Sequence, residues 1–242
     1  MNLNNFVVDR ILRAVGKSKD DEVLFAINQV TNASLNVTSE TAEAVDALGT
    51  PIAIFNRAKT AEFSAENALF DLGLMATQAG SKKISASAEA PILAPAFDMM
   101  EEGALKHTPV DADAVKFYNV NGDGSMGAEI DRAGVTVTGT TVEGLPEGQV
   151  MAVYEYNAEN GVAIINSATE FPKACELVLE VLGCDVCNQE ELIYAYLIFP
   201  NFKISPDFDW SIATDGAHPF SGQAMQNYCD AKKELYKLII VE

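Results

Sequence analysis

Short runs of alternating apolar and polar residues, broken by glycine or proline turns, recur along this chain and commit most of it to β-strands. Alternation with a period of two puts every second side chain on one face of a strand, so one face can be buried while the other is wet. Residues 23–64 read mainly as strands. Leu35 and Val37 alternate with Asn36 and Thr38, and Ile52 and Ile54 repeat the pattern beyond Leu48-Gly49-Thr50-Pro51, whose Gly-Thr-Pro marks a turn between two strands. Further strands are predicted at 115–120, 135–138, 150–156 and 162–165, with Gly-rich turns that favour hairpins. Three more follow at 177–182, 192–199 and 235–241. The stretch 39–47 is acidic, rich in alanine and weakly patterned, and is expected to project from the body.

Helical spacing appears in three places. Leu3, Phe6, Val7, Arg10, Ile11 and Ala14 predict an N-terminal amphipathic helix ending near Gly16, which either packs on its own domain or reaches a neighbour. Ser64 is placed to cap a second helix, with Glu66 in its first turn and Leu69, Leu72, Gly73 and Ala76 as its stripe, ending at Gly80. Residues 221–228 suit a third, short helix. Between 81 and 112, Pro91, Pro95 and Pro109 predict looser structure.

At 242 residues the chain is long enough to bury a core without staples. The organisation expected is 1–112 as the first half of a β domain, 113–168 as an inserted small β unit, and 169–242 as the strands that complete the first domain. With 16 Lys and Arg against 35 Asp and Glu, the formal net charge is -19, which disfavours gripping a polyphosphate backbone. The same charge suits a surface past which nucleic acid slides without sticking, and equally a plain soluble surface. No basic-then-apolar leader is visible at the start, and no run is long enough to span a bilayer as a helix.

The motifs that could carry chemistry are incomplete. Asn119-Val120-Asn121-Gly122-Asp123-Gly124 resembles the start of a Ca²⁺-binding EF-hand loop, but Ile130 stands where the closing bidentate Glu belongs and the flanks read as strands. A tight β-turn accounts for it better. Cys184-Asp185-Val186-Cys187 has the spacing of a thiol oxidoreductase, yet Asp185 opposes a thiolate and strand-forming residues come after it. Cys175, Cys184, Cys187 and Cys229 have the ligand count for structural Zn²⁺ without the second CxxC. They read as reduced thiols in an intracellular setting. His107 and His218 sit beside prolines and read as turn residues. No Walker loop, GxSxG, HExxH or GxGxxG occurs, so no catalytic, cofactor or metal residue is assigned.

The run 27–40, Ile-Asn-Gln-Val-Thr-Asn-Ala-Ser-Leu-Asn-Val-Thr-Ser-Glu, followed by Phe63-Ser64-Ala65-Glu66-Asn67-Ala68-Leu69-Phe70, resembles the N-terminal half of bacteriophage tail tube proteins. The stretch Leu197-Ile198-Phe199-Pro200-Asn201-Phe202-Lys203-Ile204, with Phe220-Ser221-Gly222 and Leu235-Tyr236-Lys237-Leu238-Ile239-Ile240, is similar to that family's last strands. The resemblance implies a mainly β fold: two packed antiparallel sheets, a sandwich or barrel, with one main flanking helix. It implies no enzyme and no cofactor, but a virion protein that is assembled in the host cytoplasm and pairs with itself and with other phage tail proteins. Its rings, usually hexameric, would stack into a tube that conducts DNA without binding it specifically. On this reading Glu40, Glu43, Val45, Leu48, Ile52 and Ile54 of the arm at 39–55, and Phe6, Val7 and Ile11 near the N-terminus, are the subunit contacts. A phage head or decoration protein, and an oxidoreductase built on Cys184 and Cys187, are the competing readings.

Overall fold

A computed structural model of the chain describes residues 5–100, 103–214, 216–227 and 232–241. In chain order, β1 (Phe6–Lys17), β2 (Val23–Ile27), β3 (Val30–Val45) and β4 (Pro51–Asn67) precede the helix α1 (Leu72–Gln78). Then come β5 (Ile84–Ser85), β6 (Ile92–Met99), β7 (Lys116–Val120), β8 (Met126–Glu129), β9 (Thr136–Thr138), β10 (Thr141–Glu143), β11 (Val150–Ala158) and β12 (Val162–Ala163). The last strands are β13 (Ala174–Asp185), β14 (Asn188–Ile204), β15 (His218–Ala224) and β16 (Lys237–Val241). Among the described residues the fold is thus mainly β with one α-helix, and the ladders are antiparallel.

Two compact units divide the chain, one of Met1–Lys83 with Ile164–Glu242 and the other of Ile84–Ala163. The second starts well before the expected boundary at 113, because β6 supplies a full strand to its sheet through an eight-residue register with β11. The loose segment expected around Pro95 is therefore a strand. Proline is tolerated because β6 pairs on one side only, where a missing N–H can face away from the ladder.

In the first unit the strand order is β2-β1-β13-β14-β15-β4-β3, with β16 also pairing β14. One curled sheet supplies both walls of the core, instead of two separate sheets, and among the described residues it does not close into a barrel. Phe25 on β2 and Phe220 on β15 stand four steps apart in the order, roughly 19 Å in a flat sheet. Their rings lie 6.4 Å apart, so the sheet folds back on itself. Phe63 packs at 5.6 Å from Phe199, 6.4 Å from Phe202 and 6.0 Å from Phe220, in tilted and edge-on contacts that aromatic quadrupoles favour.

The predicted N-terminal helix is β1, and the error has a definite cause. Its register on β13 runs Val8↔Gly183, Arg10↔Leu182, Ile11↔Val181 and Arg13↔Glu180, leaving Asp9 and Leu12 as extra residues. Each bulge reverses the inside-outside parity of the residues after it. The side chains packed on the core, Phe6, Ile11 and Ala14, are therefore spaced by five and three residues, which imitates a helix. Gly183 admits this pairing: a Cβ there would collide with the Val7 carbonyl and the Phe6 ring.

Ser64 caps no helix. It lies in β4 opposite both Ser34 and Ser221, and Ala61, Phe63, Ala65 and Asn67 point inward with strand alternation. Helix α1 starts at Leu72, with Asp71 as its cap accepting from the Leu74 N–H at 2.7 Å. Its predicted stop is where expected, since Gly80 has φ 70° and donates to the Thr77 carbonyl. The third expected helix is instead β15 up to Ala224, whose residues pair with β4 and β14; Tyr228 lies outside the described residues.

The second unit has a four-stranded sheet, β6-β11-β7-β8, and two small ladders, β9–β10 and β5–β12. Its core gathers Phe117, Val115, Val150, Ala152 and Tyr154. Arg132 clamps the turn at Ala112–Ala114 by donating to the Asp113 and Val115 carbonyls at 2.6 and 2.9 Å. Burial pushes Asp98 up, but the Tyr154 hydroxyl, the Lys106 N–H and the Lys106 charge outweigh it and hold the carboxyl below its usual range. Burial and the same hydrogen bond push the Tyr154 phenol up to about 12.

Candidate assembly surface

Hairpin β3–β4 changes character along its length. Near the body, β4 buries every second side chain; from 54 to 59 no residue on it is buried. On the opposite strand every residue from 36 to 41 is exposed. The transition coincides with an irregularity in the ladder, where Ser39 pairs with Lys59 but Thr41 pairs with Asn56. Bulges of this kind bend a strand, so the body ends where the ribbon kinks. At the tip, Asp46 holds the turn by accepting from the Leu48 and Thr50 N–H groups at 2.8 and 2.9 Å, and Gly49 supplies the φ of 85° that the turn requires.

The distal ribbon shows its apolar side chains to solvent. Leu48 is 92% exposed, Ile52 69% and Ile54 60%, with Val45 and Phe55 also open. Glu43 pairs across the ladder with Ile54 and so shares its face, while Phe55 pairs with Ala42 on the other. Glu40 stands at the kink opposite Arg57 and Ala58, where β4 carries the extra residue. The structure thus brings together all six arm residues singled out in the sequence, and adds Phe55. Of the N-terminal candidates, Phe6 and Ile11 pack against the chain's own core, whereas Val7 is exposed together with Val8, which sequence reasoning missed.

The reactive-looking motifs lie in turns and strands. Cys184 and Cys187 lie at the β13–β14 hairpin, where the Asp185 carboxylate accepts from the Cys187 N–H at 2.9 Å. Cys175 is buried, and burial followed by the charge of Glu176 pushes its thiol up to about 11. Cys229 lies outside the described residues. The Ca²⁺-like loop is a turn from β7 to β8, in which Asp123 accepts from the Ser125 N–H and hydroxyl at 3.0 and 2.6 Å. Those bonds hold its carboxyl below the usual range. Among the described residues no group of three or more His, Cys, Asp or Glu could hold a metal ion.

His107 sits in a bend, its ring stacked 3.9 Å from that of Tyr156. His218 instead opens β15 and is 0% exposed. Its Nε2 is 2.8 Å from the Gln78 Oε1, and its Nδ1 accepts from the Asp71 N–H at 3.3 Å. Burial, only partly opposed by Asp71, holds it below the usual histidine range, so the neutral ring ties α1 to the sheet.

An open antiparallel sheet, a short helix and a ribbon of exposed apolar side chains define a β-structural protein whose distinctive chemistry lies in extended surface. The model of the YomU/Tube protein family matches residues 6–236, and the chain belongs to this phage tail tube family. It is accordingly a structural protein of the phage virion's tail. Comparison with curated proteins gives no match. No described helix is long and apolar enough to cross a membrane.

Proposed function

We propose that copies of this chain close into rings, six to a ring, and that the rings stack into a tube through which DNA passes during ejection. The observation that carries this reading is the distal ribbon, whose Val45, Leu48, Ile52, Ile54 and Phe55 are exposed where an isolated soluble chain gains nothing from exposing them. Contacts between unlike surfaces of identical subunits generate rings and open stacks, and an arm that leaves its own domain provides one such surface. Val7 and Val8 provide a second exposed apolar strip. The net charge of -19 opposes retention of DNA, which suits a conduit that must let it slide. Assembly takes place in the host cytoplasm with other tail proteins, and the subunit acts as structure, without catalysis or cofactor.

Negative-stain microscopy of the purified chain tests the proposal. Rings or tubes of uniform bore are expected; strictly monomeric particles at high concentration would refute it. Deleting residues 40–50 should leave a folded chain, by circular dichroism and cooperative melting, that no longer assembles.

A further inference from the structure

Asn-Gly occurs twice in this chain, at Asn121-Gly122 and at Asn160-Gly161, and the second unit holds the two pairs differently. In such a pair the glycine nitrogen can attack the asparagine side-chain carbonyl carbon, because no Cβ on the glycine hinders the approach. The asparagine side chain must first swing onto the backbone that follows it. Hydrogen bonds that hold the side chain or its peptide groups resist that swing.

Asn121 is held. It lies in the turn between β7 and β8, where its Nδ2 donates to the Ser125 Oγ at 3.0 Å and its N–H to the Ser125 carbonyl at 2.9 Å. Its carbonyl accepts from the Gly124 N–H at 2.9 Å. The Asn121 Oδ1 also lies against Gly127, where an added Cβ would come within 2.9 Å of it. Turning the side chain toward Gly122 breaks its bond to Ser125.

Asn160 is free of such restraints. It is exposed in the connection between β11 and β12, and its side chain has no hydrogen-bond partner among the described residues. The Gly161 carbonyl accepts from the Ala86 N–H at 2.9 Å, whereas the Gly161 N–H donates to no described residue. A Cβ built on Gly161 would meet nothing within 4 Å, so the backbone around the attacking nitrogen is open.

We propose that Asn160 is a self-modifying site, at which the folded chain deamidates in preference to Asn121. The Gly161 nitrogen bonds to the Asn160 Cγ and gives up its proton, the Cγ–Nδ2 bond breaks, and ammonia leaves with that proton, closing a cyclic succinimide. Water then opens the ring at either carbonyl, giving aspartate or isoaspartate. One water is consumed and one ammonia released, with no oxidant, metal or cofactor. Either product adds a carboxylate to a chain of formal charge -19. Isoaspartate also inserts a backbone methylene just before β12, whose Val162 and Ala163 pair with Ser85 and Ile84 where the two ends of the second unit meet.

Peptide mapping by mass spectrometry tests the proposal on the full-length chain aged in mildly alkaline buffer, with isoaspartate methyltransferase labelling to identify the product. In the folded chain Asn160 should convert about three- to tenfold faster than Asn121, the factor that one intact hydrogen bond supplies. In concentrated urea the two rates should converge, since both residues are then Asn-Gly pairs in an open chain. Gly161→Ala fits the open site, and should bring conversion at Asn160 below that at Asn121 while leaving the rate at Asn121 unchanged. Equal rates in the folded chain, faster conversion at Asn121, or conversion at Asn160 only after unfolding would overturn the inference. So would a preference for Asn160 that survives in urea, or a rate at Asn160 that Gly161→Ala leaves untouched.

Discussion

Two halves of one hairpin follow different rules. Near the body, β4 alternates buried Ala61, Phe63, Ala65 and Asn67 with outward side chains, and β15 pairs along its free side. Beyond the kink at Glu40, the same two strands pair only with each other and expose both faces. Backbone hydrogen bonding is satisfied within the ladder in both halves, but side-chain burial is confined to the first. A ladder alone confers little stability on a two-stranded ribbon. The near half therefore holds the domain together, and the far half offers surface.

Substitutions along the hairpin can break this contrast or sharpen it. The largest effect is expected for Phe63→Ala, which empties a position touched by three phenylalanine rings and should lower the unfolding free energy by about 3–5 kcal/mol. Chemical denaturation would measure it, and a loss under about 1 kcal/mol would mean that the rings do not share a core. Next comes Asn67→Ala at the hairpin's base. The Asn67 side chain accepts from the Gln29 N–H at 3.2 Å and donates to the Leu69 carbonyl, and its removal should cost about 1–3 kcal/mol.

A smaller, pH-dependent effect is expected at His218, which pairs with Asn67 across the ladder. Burial lowers its pKa from 6.5 in the fold, so just below that pH the unfolded chain holds a proton that the folded chain lacks. Stability should therefore fall as the pH drops through 6.5 and level off below the folded value. Melting temperatures between about pH 7.5 and about pH 5 would show the decline, and His218→Gln should flatten it. An unchanged slope in the variant would move the titration elsewhere. The smallest change in stability is expected in the arm, where Ile54→Ser should stay within about 0.5 kcal/mol of wild type and weaken assembly instead. A cost above about 1.5 kcal/mol would show that the far half packs on its own chain.

Much of the hairpin was legible because its signals are local. Alternation at Leu35 and Val37 and at Ile52 and Ile54, the turn at Gly49, and the acidic residues between them all report on nearest neighbours, which is what a ribbon depends on. The stop at Gly80 was legible for the same reason. Legibility failed where a distant strand outweighed local preference. Ser64 has a capping side chain, yet cross-strand partners on both sides hold it in β4. Phe6, Ile11 and Ala14 have helical spacing only because two bulges on β1 reset the strand's parity.

The sequence by itself determined that this chain is β-rich, acidic and armed with an exposed ribbon, because period-two patterning, net charge and turn chemistry are written residue by residue. Its likeness to tail tube proteins was visible at the same level. Tertiary structure alone decided that β1 is a strand, that one curled sheet makes both walls of the core, and that His218 is buried beneath α1. The physical reason is that pairing partners, bulges and grooves belong to the order of strands in the sheet, which long-range packing chooses and no local pattern encodes.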